Sequence, residues 1–185
     1  AIIIDVDDTV LDNSPYEARL IKSGKSYPSG WGDWCNESQA KPLPGVLEFL
    51  LKAEQMGVKI FYVTNRKYEY EKGTLENFKK FGIPIEGDED SLLMRYENGW
   101  DSNKTSRREL IAKNHRVIFQ IGDNLGDFVD LSLSHQSPEK RVEVVTEFND
   151  MWGKYWFMIE NPTYGDWEGA LYKFNFDRSN QEIIQ

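Results

Sequence analysis

Ala1-Ile2-Ile3-Ile4-Asp5-Val6-Asp7-Asp8-Thr9-Val10-Leu11-Asp12-Asn13 is the stretch that decides the fold. An apolar, β-branched run stops abruptly at carboxylates, with Asp5 and Asp7 two residues apart and Thr9 two further on. Such a run reads as a buried parallel strand, and open α/β sheets bind ligands beyond the carboxyl ends of their strands. Side chains alternate faces within a strand, so only a strand that has just ended can aim Asp5 and Asp7 at one point. Two carboxylates about 4 Å apart repel by roughly 4 kcal/mol at an effective dielectric near 20. Something cationic must offset that. Taken alone, the stretch also fits an acidic turn that closes a strand and caps the next helix.

The 185 residues suffice for one domain with a real core, and 1–185 is read as a single unit. A formal charge of −9 argues against binding nucleic acid or an anionic membrane through bulk electrostatics. It leaves room for a small anionic substrate, because a local cation can dominate a cleft. One cysteine, Cys35, excludes an internal disulfide framework. No apolar run is long enough to span a bilayer, and no signal peptide is visible. Ala1 stands inside a strand with no turn or cap before it, so upstream sequence is expected and the missing signal says little about location.

Ser14-Pro15-Tyr16-Glu17 reads as an N-cap, a proline at the first helical position and an acidic first turn, starting a helix that runs to about Lys22. Residues 13–43 form a cap-like insert after the first strand. Within it, Ser23 to Lys41 is polar, rich in Gly and Trp, and read as irregular; a long insert of that kind is more often functional than filler. A helix follows Pro44-Gly45, with Val46, Leu47, Phe49, Leu50, Leu51 and Ala53 at helical spacing, and ends near Gly57. Val58 to Val63 is the second apolar strand, with Thr64-Asn65-Arg66 at its carboxyl end. A helix from about Tyr68 to Phe81 stops at Gly82. Leu92 to Met94 is a short strand, Lys104 to Asn114 a helix, and Val117 to Ile121 a strand that runs into Gly122-Asp123-Asn124-Leu125-Gly126-Asp127. Arg141 to Thr146 fits helix or strand, Trp156 to Ile159 a late strand, and Tyr164 to Lys173 a terminal helix. Residues 175–185 read as a peripheral tail. Strands alternating with helices predict an α/β fold with a central parallel sheet flanked by helices.

Four polar clusters fall at, or just before, core elements: Asp5/Asp7/Thr9, Thr64/Asn65/Arg66, Lys104 and Asp123/Asp127. Their order resembles the haloacid dehalogenase superfamily of aspartate-nucleophile phosphotransferases. Asp-Val-Asp-Asp-Thr-Val-Leu-Asp-Asn-Ser-Pro-Tyr, Val-Thr-Asn-Arg, Lys-Thr-Ser-Arg-Arg and Gly-Asp-Asn-Leu-Gly-Asp-Phe are similar to the class C acid phosphatases, bacterial surface lipoproteins that remove phosphate from nucleoside monophosphates. The similarity spans roughly residues 2 to 173. It implies a Rossmann-like core with a small helical cap insert.

The resemblance implies a role for each cluster, and the residue chemistry agrees. Asp5 would attack phosphorus, giving an aspartyl-phosphate and splitting a difficult hydrolysis into two steps. Asp7 would protonate the leaving oxygen and then activate water. Asp5, the Asp7 backbone carbonyl and Asp123, with Asp127 in support, form an oxygen-rich site for a hard divalent cation, for which magnesium is the natural choice. Lys104 would hold Asp5 and the phosphoryl oxygens together, and Thr64 and Asn65 would donate hydrogen bonds to those oxygens. Arg66 is given a supporting role as a structural ion pair, and Asp8 and Asp12 hydrogen-bond the loop. Trp31 and Tyr164 would sandwich the substrate's base, where stacking is worth roughly 1–3 kcal/mol. Trp34 and Trp167 read as packing, although Trp31, Trp34 and Tyr164 all look exposed.

The resemblance further implies a cell-envelope location, in the bacterial outer membrane or secreted, with any lipid anchor lying outside this chain, and a possible homodimer. Other chemistries fit poorly. Asp5-Val6-Asp7-Asp8 lacks the glycine and closing glutamate of a calcium loop. Cys35 is followed six residues on by Lys41 rather than arginine, so a cysteine-phosphatase loop is absent, and no Walker loop occurs. His115 and His135 have no motif around them, and Arg107 and Lys113 read as surface charges. The alternative from a different class is a non-enzymatic binding or storage protein on the same fold, as related plant vegetative storage proteins are. Those lose the nucleophile, whereas Asp5, Asp7, Lys104 and Asp123 are all present.

Overall fold

The opening run becomes the middle strand of the sheet. The computed structural model describes residues 1–85, 87 and 89–175. In chain order its strands and α-helices are β1 (Ile2–Ile4), β2 (Leu11–Asp12), α1 (Ser14–Ser23), α2 (Trp31–Glu37), β3 (Lys41–Pro42), α3 (Val46–Gln55), β4 (Ile60–Lys67), α4 (Glu71–Phe81), β5 (Leu92–Arg95), α5 (Thr105–Asn114), β6 (Phe119–Gly122), α6 (Leu131–Ser134), α7 (Pro138–Glu147), β7 (Trp156–Met158) and α8 (Asp166–Leu171). Five strands pair in parallel in the order β5-β4-β1-β6-β7, and β2 and β3 form a separate antiparallel pair. The expected α/β architecture is therefore observed.

Ile4 lies level with Tyr62 of β4 on one side and Ile121 of β6 on the other. The chain builds outward from β1 through β4 to β5, then returns to the far side of β1 for β6 and β7. The order reverses between β1 and β6, and a crevice opens beyond the carboxyl ends of strands at such a switch point. Alternation divides the core into layers. Ile2 and Ile4 pack with Leu50, Tyr62, Phe78 and Met94 on one face, while Ile3 packs with Phe61, Val63, Leu93 and Ile111 on the other. Burying each such aliphatic chain stabilises the fold by about 1.5–3 kcal/mol. Gly82 ends α4 at φ 68, a left-handed conformation that costs a glycine little, with its N–H reaching the Lys79 and Phe78 carbonyls.

Several boundaries depart from the sequence expectation. Ser14 is the first residue of α1 and Asn13 takes the N-cap position. The segment expected to be irregular contains α2 and β3: Trp34 and Cys35 are buried, and α2 packs so closely on α4 that a Cβ on Gly73 would come within 2.6 Å of the Cys35 carbonyl. The pairing of β2 with β3 makes the insert leave and return at one place. β4 extends to Lys67, because pairing with β5 resumes at Lys67 and Arg95 after a register shift. Thr64, Asn65 and Arg66 thus lie within the strand. Phe49 and Leu51 are exposed; the buried stripe of α3 runs through Leu50 and Ala53. Residues 141–146 belong to α7, started by Pro138 in its first turn and a Ser137 cap. Helix α5 begins at Thr105 with Lys104 at its N-cap position, and α8 is shorter than expected. Of the tail placed at 175–185, all but Asn175 lies outside the described residues.

Candidate active site

Asp5 is the first residue past β1, and its backbone N–H still donates to the Ile121 carbonyl at 2.9 Å. That bond fixes the aspartate at the crevice between β1 and β6. Its side chain is buried, and Lys104 Nζ donates to its Oδ1. The same ammonium donates to Asp127 Oδ1 at 2.6 Å. Asp127 is anchored on its other oxygen by the Asn124 N–H at 2.9 Å, in a capping box that closes the 3-10 turn Leu125–Asp127. Gly122 makes room for it: a Cβ there would lie 2.3 Å from Asp127 Oδ2. One lysine thereby ties the end of β1 to the loop after β6.

Asp123 completes the acidic group. One oxygen from each of Asp5, Asp123 and Asp127 lies within 4.8 Å of the others. Burial, Asp5 and Asp127 push the Asp123 carboxyl up to about 8, against a hydrogen bond from Asn161 Nδ2 at 2.7 Å. Burial also raises Asp5 to about 7, against Lys104, with Asp127 and Asp7 adding to the rise. Burial pulls the Lys104 ammonium down, but Asp127 and Asp5 outweigh it and hold its pKa above the ordinary lysine value. Three carboxylates therefore face a single ammonium, all from oxygen donors suited to a hard divalent cation.

Asp7 is held by a different cation. Arg66 donates through Nη2 to Asp7 Oδ1 at 2.9 Å and through Nε at 3.0 Å, and Asn13 Nδ2 donates to the same oxygen at 2.8 Å. Arg66 is itself buried, with Nη1 on Thr74 Oγ1 at 3.1 Å, and it forms an ion pair with Asp7. Asp8, at φ 53, accepts from the Asn13 N–H at 3.0 Å, and Asp12 accepts from the Ser14 N–H at 2.8 Å. Thr9 is fully buried. Thr64 is fully buried too, and its Oγ1 accepts from the Arg66 N–H at 3.0 Å. Asn65 is exposed, with Nδ2 on the Ser102 carbonyl at 3.0 Å.

Of the aromatics, Trp31 stacks edge-on against Tyr16, with centroids 5.0 Å apart, and lies 5.6 Å from the Arg66 guanidinium. Tyr164 donates its hydroxyl to Asp8 Oδ2. Tyr164 thus attaches directly to the loop that carries Asp7, while Trp31 lies against Arg66, the cation that holds Asp7. Trp34 is not exposed: it is buried, with Nε1 on Asn13 Oδ1 at 2.8 Å. Trp167 donates to the Asn161 and Tyr164 carbonyls at 3.1 and 3.2 Å, bracing the segment that holds Asp123.

Nothing in the motifs singles out Asn13, Asn161, Arg107 or Arg108. Arg107, read as a surface charge, is fully buried and donates to the Thr64 carbonyl and to Asn65 Oδ1; Arg108 donates to the Gly126 and Asp127 carbonyls at 3.0 and 3.1 Å. A signal existed: positions i, i+3 and i+4 from Lys104 share a helix face.

The family model described as HAD superfamily, subfamily IIIB (acid phosphatase), matches residues 1–167. The class C acid phosphatase from Bacillus anthracis is 40% identical over 100% of this chain and 75% of its own, with a TM-score of 0.90. Its tungstate-bound crystal structure superposes with a TM-score of 0.91 over 100% of this chain and 76% of its own, again at 40% identity. Acid phosphatase 1 of Solanum lycopersicum is 25% identical over 141 residues, 73% of this chain and 54% of that protein. Vegetative storage protein 1 of Arabidopsis thaliana is 24% identical over 135 residues, 69% of this chain and 48% of that protein. The chain spans about half the length of these curated relatives.

Proposed function

The chain belongs to the HAD superfamily, subfamily IIIB acid phosphatases, and from that premise we propose that it hydrolyses phosphate monoesters, nucleoside monophosphates in particular, with magnesium and through an aspartyl-phosphate on Asp5. The observation that carries the reading is Lys104 bridging Asp5 and Asp127, with an Asp123 oxygen within 4.8 Å of both carboxylates, at the switch point of the sheet. Among the described residues no donor contacts Asp5 Oδ2, which is the oxygen available to attack phosphorus. As the new Oδ2–P bond forms and the ester P–O bond breaks, Asp7 gives its proton to the departing alkoxide. Asp7 then takes a proton from the water that cleaves the acyl phosphate. Arg66 and Asn13 hold its carboxyl in place for both transfers.

Lys104 keeps Asp5 oriented, and Thr64 and Asn65 donate to the phosphoryl oxygens as charge builds on them. When bound at Asp5, Asp123 and the Asp7 carbonyl, magnesium supplies the positive charge that lets a phosphate dianion approach these carboxylates. Asp127 supports the site by orienting Lys104 rather than by leaving an oxygen unengaged. Trp31, beside Arg66, and Tyr164, on Asp8, would offer faces for a base. The storage reading is not favoured, because Asp5 is in place and paired with Lys104.

The proposal extends to a cell-envelope or secreted location, a lipid anchor and a homodimer, to be checked by fractionation and sedimentation. No described helix is long and apolar enough to cross a membrane. The decisive experiment compares the parent with Asp5→Asn on p-nitrophenyl phosphate and on nucleoside monophosphates, with magnesium and with EDTA. Magnesium-dependent release of phosphate should vanish in the variant while its circular dichroism stays unchanged; undiminished turnover by folded Asp5→Asn would falsify the mechanism.

A further inference from the structure

Arg107 is one of the largest fully buried side chains, yet among the described residues each of its four hydrogen bonds ends on a neutral oxygen. Nη1 donates to the Thr64 carbonyl at 2.6 Å and to the Leu93 carbonyl at 3.4 Å. Nη2 donates to Asn65 Oδ1 at 2.8 Å and to the Asp101 carbonyl at 3.1 Å. Its Nε is buried and has no partner among the described residues. Lys104 and Arg66 differ, each contacting a carboxylate, whereas the neighbouring Arg108 also donates to neutral oxygens, the Gly126 and Asp127 carbonyls and Thr105 Oγ1.

Tying two strands to a loop needs only a neutral donor, and a buried charge without a counter-ion is costly. Burial draws the Arg107 guanidinium down to about 10, with Asp5 opposing the fall, so the group stays cationic at neutral pH. A cation is kept where the backbone requires none. What the charge enforces is the direction of one amide. An asparagine side chain has two orientations of nearly equal shape, one presenting N–H and the other presenting oxygen. A guanidinium has donors only and therefore accepts only the orientation in which Oδ1 faces it. Asn65 Nδ2 is then turned to the Ser102 carbonyl with one hydrogen, at 3.0 Å, and keeps a second hydrogen for an anion.

We propose that Arg107 is a positioning residue of the phosphoryl subsite, locking the Asn65 amide so that it presents an N–H, never its oxygen, to the phosphate. The inference rests on the reading of Thr64 and Asn65 as the phosphoryl cradle. Lysine at 107 keeps the charge but lacks the fork that reaches Thr64 and Asn65 together, so the amide is freed.

The test measures competitive inhibition by inorganic phosphate of p-nitrophenyl phosphate hydrolysis, at saturating magnesium, for Asn65→Ala, Arg107→Lys and the double variant. Each single substitution should weaken phosphate binding about tenfold and raise KM more than it lowers kcat. The double variant should lose no more than about twofold beyond Asn65→Ala, because Arg107 acts through the amide. Losses that multiply overturn the inference while leaving the cradle intact. Unchanged phosphate binding in Asn65→Ala overturns the cradle and the inference with it. If Arg107→Lys fails to fold, Asn65→Asp decides: a carboxylate beside Arg107 should raise the melting temperature and weaken phosphate binding more than alanine does, and parental phosphate affinity in that variant overturns the proposal.

Discussion

Raising the pH of the metal-free protein should weaken its fold, and magnesium should undo the loss. Asp5 and Asp123 are held at about 7 and about 8, against an ordinary value of 3.8, by burial and by their crowding with each other and Asp127. A carboxyl whose folded pKa lies above its unfolded one binds its proton more tightly in the native state. The stability it lends is fully present below pH 3.8 and is lost as pH rises through the folded value. Between pH 5 and 7, one proton held in this way is worth about 3 kcal/mol. For a domain of this size 1 kcal/mol moves the melting temperature by about 2–4 °C, so the metal-free protein should melt roughly 6–12 °C lower at pH 7 than at pH 5. Magnesium replaces the proton as the counter-charge, so its stabilising effect should be small at pH 5 and large at pH 7. Glu97, also raised to about 7 by burial and Asp90, adds a slope of the same sign elsewhere in the protein. Asp123→Asn isolates the site's share, because removing one carboxylate should flatten the metal-free slope. The assay is thermal denaturation followed by circular dichroism in EDTA and in saturating magnesium across that range. A metal-free melting temperature that is flat or rises from pH 5 to 7, or magnesium stabilisation equal at both ends, refutes the reasoning.

Arg66→Met leaves the buried edge of Asp7 with Asn13 as its remaining donor and should destabilise the fold by about 3–5 kcal/mol, read by urea denaturation, with kcat falling as Asp7 loses its orientation. Gly122→Ala drives a Cβ onto Asp127 Oδ2 and should shift Asp127 off Lys104, lowering kcat with little change in KM; an unaltered kcat counts against the close approach at 2.3 Å. Tyr164→Ala should raise KM for nucleoside monophosphates by about five- to a hundredfold, the loss of roughly 1–3 kcal/mol of stacking, while KM for a phosphate ester without a planar group changes far less. Equal changes for both substrates count against a base on Tyr164.

The parts of the fold legible in the sequence are those where local pattern and global packing agree. Ile2 to Ile4 form a strand in any half-buried context, and the carboxylates that end it can only sit at a loop. The sheet then brings Lys104 to Asp5 and Asp127, and Arg66 to Asp7. Features decided at a distance were not legible. Arg107 is charged and follows another polar residue, so nothing local says that two strands will close over it. Trp34 lies in a Gly-rich segment, and its burial depends on an asparagine 21 residues earlier. The continuation of β4 past Val63 depends on a second stretch of pairing with β5 beyond a register shift. Helix α2 is short, and it buries Trp34 and Cys35 and packs closely on Gly73 of α4, contacts its own sequence does not announce. Tyr164 and Asp8 are 156 residues apart, and only the assembled fold makes them neighbours.

The alignment of β1 with both neighbours carries a mechanical consequence. Ile4 is level with Tyr62 and Ile121, and Asp5 is hung from the Ile121 carbonyl one step beyond. A slip of one residue would move Asp5 by about 3.3 Å and turn it to the opposite face of the sheet. Catalytic geometry tolerates displacements of only about 0.5 Å. Turnover is therefore a gauge of strand registration, about sixfold finer than the smallest error the sheet can make. A substitution among Ile2, Ile3 and Ile4 that loosens the pairing should silence the enzyme while spectroscopic measures of folding still look native.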